Sequence, residues 1–292
     1  MKRKLTLLTI MAFIFFALSG AAQAQLFKEY SFKFSGGYGD IAVGDYNPLA
    51  ESLNAQWNDT AALYGLSPEG EFDKQDIGYE YEGELTLSLS ENFAIGIGGG
   101  YIKRHKISEV TVSAPGLSIE GVLDPKTTSY AIPVINAYYF LPVASSVNIF
   151  LTAGGAYYQS TTRTTYRIET QVLGADPVIE RTEIECKKGS FGVHGAVGLD
   201  VDVLPNFSFF VEGRARYAKM PEWKSMLGGR FGLTAGAVLY SIEKFDETTG
   251  KWYKSVDLSV TEPTGSDIRN AEEFEVDLSG ICLRLGIRIK FL

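Results

Sequence analysis

The stretch Ser279-Gly-Ile-Cys-Leu-Arg-Leu-Gly-Ile-Arg-Ile-Lys-Phe-Leu292, at the end of the chain, alternates strictly between two kinds of residue. One face is apolar throughout: Ile281, Leu283, Leu285, Ile287, Ile289 and Phe291. The other face carries Cys282, Arg284, Gly286, Arg288 and Lys290. A period of two residues predicts a β-strand, but a half-buried strand of a soluble protein has the same period. The strand alone therefore leaves open which of its faces meets water.

The opposite end of the chain has the pattern of a secretory signal. Three basic residues precede the apolar run Leu5 to Leu18, and an Ala22-x-Ala24 cleavage pattern follows. The apolar run is shorter than the roughly 20 residues that a membrane-spanning helix needs, which disfavours a retained anchor. We therefore expect residues 1–24 to be removed and residues 25–292 to form the mature domain.

The composition indicates which kinds of molecule the protein is not expected to bind. The chain has 27 basic and 35 acidic residues, for a net charge of −8, and loss of the three signal bases gives 24 − 35 = −11. An acidic protein of this kind is not expected to bind nucleic acid. Two cysteines do not make a disulfide scaffold, and the sequence leaves open whether Cys186 and Cys282 are bonded to each other.

Alternation of apolar and polar residues predicts seven further strands before the last one. They cover residues 30–39, 77–90, 93–101, 128–140, 147–158, 183–203 and 207–218. Pro133 falls inside one of them and is expected at a bulge, because proline cannot donate to a ladder of hydrogen bonds.

The connections between these strands alternate in length. Short turns at 91–92, 141–146 and 204–206 alternate with long loops, which include 104–127 and the two longest, 40–76 and 219–275. This asymmetry is typical of an up-and-down outer-membrane barrel with short periplasmic turns and long extracellular loops. A soluble eight-stranded barrel would turn its apolar face inward and would have no reason to keep the asymmetry. We therefore predict an all-β, antiparallel transmembrane barrel.

The segment 219–275 makes the number of strands ambiguous. Residues 231–242 carry no charge, and Val256, Leu258 and Val260 alternate after a turn-like segment, so two more spanning strands would give ten in all. Alternatively, the segment forms a hairpin above the membrane within a long last loop. We favour eight strands, because Lys251-Trp-Tyr-Lys254 leaves the returning strand only a short apolar face.

The first long segment contains a predicted amphipathic helix. Leu49, Leu53 and Trp57 recur at helical spacing, and Asn47-Pro48 is the expected cap and first position. We favour a helix that folds over the barrel mouth, and a binding element is the alternative.

With these features together, the whole mature chain resembles the small outer-membrane β-barrel superfamily of eight-stranded proteins. The resemblance rests on the signal, the glycine-rich strand Ile95-Gly-Ile-Gly-Gly-Gly-Tyr101 and the closing Leu283-Arg-Leu-Gly-Ile-Arg-Ile-Lys-Phe291. It implies location in the outer membrane, contact with outer-membrane lipid and lipopolysaccharide, and recognition of a terminal aromatic by the barrel-assembly machinery. That superfamily hosts adhesins, pores, carriers and a few lipid-modifying enzymes, so the resemblance indicates architecture more than function.

If the apolar face meets lipid, the charged face must fill the lumen. The predicted lumen charge network comprises Lys33, Glu80, Glu82, Glu84, Glu212, Arg214, Arg216, Arg284, Arg288 and Lys290. The interior of an eight-stranded barrel is just filled by side chains, and ions buried there must pair. We expect a plug of ion pairs, and a narrow polar pore for small solutes is the alternative.

We predict no catalytic, cofactor or metal site. His194 and Asp200 share a strand face but lie six residues apart, about 20 Å along a strand, too far to share a proton or a ligand. His105 lies in a basic run at the outer end of the third strand, where it could contact lipopolysaccharide phosphates. We therefore expect a structural or loop-mediated interaction role with an unidentified extracellular ligand, and an outer-membrane lipid-modifying enzyme is the less favoured alternative.

Overall fold

The computed structural model describes residues 29–42, 44–225 and 237–291, so the predicted signal and the first half of the uncharged segment 231–242 lie outside the described residues. The elements are β1 Glu29–Asp40, α1 Tyr46–Leu63, β2 Glu69–Gly70, β3 Ile77–Ser88, β4 Phe93–His105, β5 Ser108–Ala114, β6 Leu117–Ala144, β7 Val147–Val172, β8 Val178–Leu204, β9 Phe207–Tyr217, β10 Lys219–Met220, β11 Lys224–Ser225, β12 Val238–Asp246, β13 Lys251–Ser259, β14 Ile268–Glu273, β15 Val276–Asp277 and β16 Gly280–Phe291.

Eight of these strands close into a barrel. Hydrogen-bonded neighbours run β1-β3-β4-β6-β7-β8-β9-β16 and return to β1, and every pair is antiparallel. At the seam, Phe32 lies opposite Ile289 and Lys33 lies opposite Arg288. The predicted eight-stranded up-and-down barrel is confirmed. The ten-strand alternative is wrong, because β12 and β13 pair with each other outside this ring.

The two ends of the barrel differ as expected. Residues 89–92, 145–146 and 205–206 make the short turns at one end, which is the periplasmic end in barrels of this kind. In β6 the register shifts between Ala131 and Val134, which places Pro133 at a bulge. A bulge satisfies the rule that proline avoids the regular positions of a central strand.

The outer surface of the barrel carries an apolar band between two rings of aromatic side chains. The periplasmic ring includes Tyr30, Phe93, Tyr139, Phe209 and Phe291, and the extracellular ring includes Tyr38, Tyr79, Tyr130, Phe191 and Tyr217. These side chains are all exposed, and the leucines, isoleucines and valines between the rings are exposed or half-exposed. Belts of aromatic side chains at both borders of an apolar band are typical of a barrel that crosses a bilayer.

Three barrel strands continue far beyond the extracellular ring. Strands β6, β7 and β8 have 28, 26 and 27 residues, whereas about 9–11 residues suffice to cross a bilayer. Strands β5 and β2 extend this raised sheet on one side, and β11, β12, β13 and β14 extend it on the other. The prediction of a loop over residues 104–127 is therefore wrong. Pairing of β5 with β6 satisfies backbone groups that a loop would leave to water.

Helix α1 lies across this raised sheet and packs on β13. It starts at Tyr46, so the predicted cap at Asn47-Pro48 is wrong and Asp45 precedes the first turn. Pro48 fits inside the first turn because the backbone N–H groups there have no intrahelical acceptor. Asn47 is instead used for docking: its side chain donates to Asp76 and accepts from the backbone N–H of Gln75. In the described part of the chain, no helix is long and apolar enough to cross a membrane.

Candidate functional site

The barrel lumen contains a compact group of charges, which we call the lumen cluster: Lys33, Glu80, Glu82, Glu84, Glu212, Arg214, Arg216 and Arg284. Arg284 is its centre and is 0 % exposed. Its guanidinium lies 3.0 Å from Glu80, 3.3 Å from Glu82 and 2.5 Å from Glu212. It also donates to the hydroxyl of Ser35. Four acids and four bases meet here, so the cluster is neutral as a whole.

Each of those three acids also has a base of its own. Arg214 binds Glu82 through two hydrogen bonds of 2.7 and 3.1 Å. Arg216 lies 2.5 Å from Glu80, and Lys33 lies 2.6 Å from Glu212. Charges in a narrow, dry lumen are tolerable when they are paired and hydrogen-bonded in this way.

Glu84 is held differently from the other acids of the lumen cluster. It accepts hydrogen bonds from the hydroxyl of Tyr138 at 2.6 Å and from the amide of Asn136 at 3.0 Å. Lys33 in turn donates to the Tyr138 oxygen at 3.3 Å, and His194 Nε2 lies 2.6 Å from the amide oxygen of Asn136. The lumen residue His194 is thus a member of a hydrogen-bond chain.

The glycines of β4 explain why the carboxylates fit. Gly96 faces Thr86 across the β3–β4 ladder, and a Cβ atom on it would overlap the carboxylate of Glu84. Glycine is required at such a close approach because any other side chain would displace the buried ion.

Two further ion pairs lie toward the periplasmic end. Arg288 lies 2.8 Å from Asp200, and Lys290 lies 2.6 Å from Asp202. Both acids belong to β8. From the sequence, Asp200 was a candidate only for a metal site or a proton relay shared with His194. Their position on the inward face was readable from strand parity, but their partners on β16 depend on how the sheet is closed.

An apolar layer closes the extracellular end of the lumen. This layer, the mouth plug, comprises Ile41, Tyr46, Ile102, Ala131, Val134, Ala156, Tyr158, Cys186, Ala218, Met220, Trp223, Leu239, Phe274, Val276 and Leu278. Trp223 is fully buried, and its indole N–H donates to the carbonyl of Met220 at 2.7 Å. Cys186 and Cys282 are both buried and are not bonded to each other.

Above the mouth plug lies a cavity of about 1030 Å³, which we call the extracellular cavity. One wall is α1, with Leu49, Leu53 and Trp57 directed into it. The facing wall is the raised sheet, and Val256 of β13 closes the side. The sheet contributes Val112, Ala114, Leu117, Ile119, Leu123, Thr164, Tyr166, Ile168, Thr182 and Ile184. The sequence indicated the helix face, whereas its facing wall was missed because all of those residues except Ile184 lie between the predicted strands.

Helix α1 is fixed to both sides of the extracellular cavity. On the sheet side, the Trp57 indole donates to the Tyr166 hydroxyl at 3.0 Å, and both rings pack edge-on against Phe72. On the hairpin side, Asp59 accepts from the ammonium of Lys251 and the hydroxyl of Tyr253, each at 2.7 Å. The hydrogen bond from Lys251, followed by that from Tyr253, holds the pKa of Asp59 below its ordinary value.

The other predicted candidate residues carry no reactive constellation in the structure. His105 Nε2 lies 2.7 Å from Asp124 on the outer surface above the apolar band. Among residues 29–42, 44–225 and 237–291, no group of three or more histidine, cysteine or acidic side chains is placed to hold a metal ion.

A closed antiparallel sheet with an apolar, aromatic-bordered exterior and a charged, paired interior defines the class. The chain is a transmembrane β-barrel of the outer-membrane type, and the fold that the resemblance implied is confirmed. The residues of the closing strand that were predicted to face lipid are exposed or half-exposed on the outside of the barrel: Ile281, Leu283, Leu285, Ile287, Ile289 and Phe291.

Solved structures of small outer-membrane proteins match this chain along most of its length. Neisserial surface protein A has 12% identity and a TM-score of 0.32, with 90% of this chain and 97% of that chain covered. The outer membrane protein OprG from Pseudomonas aeruginosa has 12% identity and a TM-score of 0.39, with coverages of 89% and 95%. Ail, the attachment invasion locus protein of Yersinia pestis, has 10% identity and a TM-score of 0.33, with coverages of 90% and 98%.

No protein-family model and no curated protein matches the sequence.

Proposed function

We propose that this protein is a closed outer-membrane anchor that carries an extracellular binding unit. The observation that supports this most directly is the double closure of the lumen, first by the lumen cluster and then by the mouth plug. A path for solutes would have to separate buried ion pairs, and removal of one partner of such a pair costs about 3–5 kcal/mol. Above the closed barrel, most of the remaining chain forms the raised sheet, α1 and the β12–β13 hairpin.

The test is conductance of the detergent-refolded protein in a planar bilayer, after heat-dependent gel mobility has verified folding. We expect no discrete conductance steps. A narrow channel would give steps whose size changes in Arg284→Ala, a lumen substitution, and stays the same in Arg167→Ala, a substitution on the raised sheet. That result would contradict the proposal.

We further propose that the chain is exported with a cleaved signal, is assembled by the barrel-assembly machinery and contacts lipopolysaccharide through its outer surface. Support comes from the outward position of Phe291 at the seam and from the neighbouring His105 and Lys126 just above the apolar band. The mass of the protein isolated from outer membranes should correspond to a chain that starts at Gln25. A retained Met1 would contradict the export proposal.

A non-enzymatic role is part of the same proposal. His105 and Asp124 make a hydrogen-bonded pair at the surface, and a histidine–carboxylate pair is one element of many catalytic sites. A change in outer-membrane lipid mass on expression, lost in His105→Gln, would contradict a purely binding role.

A further inference from the structure

The extracellular cavity has the chemistry of a ligand site. Its described lining contains no charged side chain. Several of its polar groups are already engaged within the protein, since Trp57 bonds to Tyr166 and Thr164 bonds to the Tyr46 hydroxyl at 2.6 Å. A ligand would therefore meet mainly aliphatic and aromatic surface, with few competing hydrogen-bonding groups.

The size of the cavity also indicates an occupant. A volume of about 1030 Å³ lies at the upper end of the range of small-molecule sites. Its apolar walls favour an apolar ligand, because burial of apolar surface against them removes that surface from water.

The rim continues the apolar character into solvent. Tyr64 of the cavity lining is 71% exposed. The β7–β8 tip, next to Leu117 of the lining, presents Leu173 and Val178 to water. Contiguous exposed apolar residues at the edge of a cavity mark a route of entry for an apolar molecule.

The cavity lies outside the hydrocarbon region of the membrane. On β6, Leu123 of the lining is seven residues above Tyr130 of the extracellular aromatic ring, which corresponds to about 18 Å of height for a tilted strand. A ligand must therefore come from the lipopolysaccharide layer or from the medium beyond it.

From these observations we propose that the extracellular cavity binds the uncharged, apolar part of one long-chain hydrophobic or amphipathic molecule, such as a fatty-acyl chain. This deepens the proposed function and rests on it, because it assigns a ligand class to the extracellular unit. The helix α1 covers the chain, and the polar end of the molecule remains at the exposed rim near Tyr64.

The experiment uses the full-length protein in nanodiscs and the fluorescence of Trp57, which lines the cavity. Trp223→Phe and Trp252→Phe make Trp57 the sole emitter, and dibrominated octadecanol is the probe because bromine quenches indole at short range. We expect saturable quenching. Thr182→Phe, which fills the cavity, should weaken the apparent affinity on the order of tenfold or more, equivalent to about 1.4 kcal/mol.

Thr165→Phe is the matched control. Thr165 of β7 lies opposite Glu183 of β8, and Glu183 follows Thr182 in the chain. The side chain of Thr165 therefore lies on the face of the raised sheet that points away from the cavity. It should leave quenching unchanged. Non-saturable quenching, or equal affinity in both phenylalanine variants, would overturn the proposal. If the single-tryptophan background does not fold, native mass spectrometry of the wild type and the two phenylalanine variants gives the same comparison by counting bound octadecanol.

A second arm separates the two sources of the ligand. Nanodiscs made with brominated-acyl phosphatidylcholine and no free alcohol should quench Trp57 if a chain is drawn from the membrane, and should not if the ligand arrives free. Loss of all binding in a barrel that still conducts nothing would remove the ligand assignment and leave the closed-anchor function standing. Conductance in the wild type would contradict the closed-anchor function and leave the ligand assignment standing.

Discussion

The lumen and the extracellular cavity are two interiors of one molecule, built with opposite chemistry. Within the membrane, charges lie inside the barrel and apolar side chains lie outside, whereas above the membrane the apolar side chains lie inside and the charges outside. Strand β8 makes both arrangements. Its inward face carries His194 and Asp200 below and Ile184 above, and its outward face carries Val197 below and Glu185 above. The solvent that surrounds each level decides which face can be apolar.

The largest expected effect comes from removal of the central base of the lumen. Arg284→Ala leaves one uncompensated negative charge among Glu80, Glu82 and Glu212, and should lower the free energy of unfolding by about 3–5 kcal/mol. The measurement is a urea titration followed by heat-dependent gel mobility. Arg167→Ala is the comparison. Arg167 pairs with Glu120 and Glu169 in water, both at 2.8 Å, and its loss should cost about 1 kcal/mol or less. Equal costs would show that the lumen is not a dry environment.

The next effect tests the exchange of faces on β8. Val197 lies on the outer face midway between the two aromatic rings, and Val197→Lys should destabilise the folded barrel by about 2–4 kcal/mol, the range for a lysine at the bilayer midplane. Glu185→Lys puts the same side chain on the same face above the membrane. Its cost should stay within about 0.5 kcal/mol. Should both substitutions be tolerated, the placement of the apolar band would be wrong.

A smaller effect is expected where α1 is fixed over the extracellular cavity. Trp57→Phe removes the indole donor to Tyr166 and should weaken docking of the helix by about 1 kcal/mol. Tyr166→Phe and the double substitution complete a cycle that isolates the hydrogen bond. Amide hydrogen exchange of residues 46–63 reports docking. Additive effects in the cycle would mean that the hydrogen bond contributes nothing.

The smallest effect is a dependence of helix docking on pH. The pKa of Asp59 lies below its ordinary value because Lys251 and Tyr253 donate to the carboxylate. The stabilisation is therefore complete above the unfolded-state pKa and is lost as pH falls through the lowered folded-state pKa. Hydrogen exchange of α1, corrected for its intrinsic pH dependence, should show this loss in acid. Asp59→Asn should abolish the dependence, and an unchanged profile in that variant would assign it to another group.

The sequence was sufficient for the barrel because the membrane imposes a simple rule on each strand. Alternation identified Ile281 to Phe291 as one face, and the order of long and short connections indicated the up-and-down topology. Position along a strand also placed Arg284 and Glu82 on inward faces. The partner of each ion depends on the register in which the sheet closes into a barrel. The pairs of Asp200 and Asp202 with residues of β16 were therefore not predicted.

The extracellular cavity could not be predicted by the same reasoning. Its walls come from segments far apart in the chain, and alternation within one segment does not indicate which segments meet around a common space. The helix face of Leu49, Leu53 and Trp57 was visible as a local pattern. The surface that it covers exists only because β6, β7 and β8 continue past the membrane in register.

The continuation of β8 above the membrane sets the depth of the barrel in the bilayer. Because β8 exchanges polarity between its two faces, a displacement of the barrel along its axis by two residues, about 6–7 Å along the strand, would draw Lys187 toward the hydrocarbon and push Val203 toward water. The protein therefore has one vertical setting in the bilayer. A rigid sheet raised from that setting holds the extracellular cavity at a constant distance from the lipid surface, with no tether to lengthen or shorten.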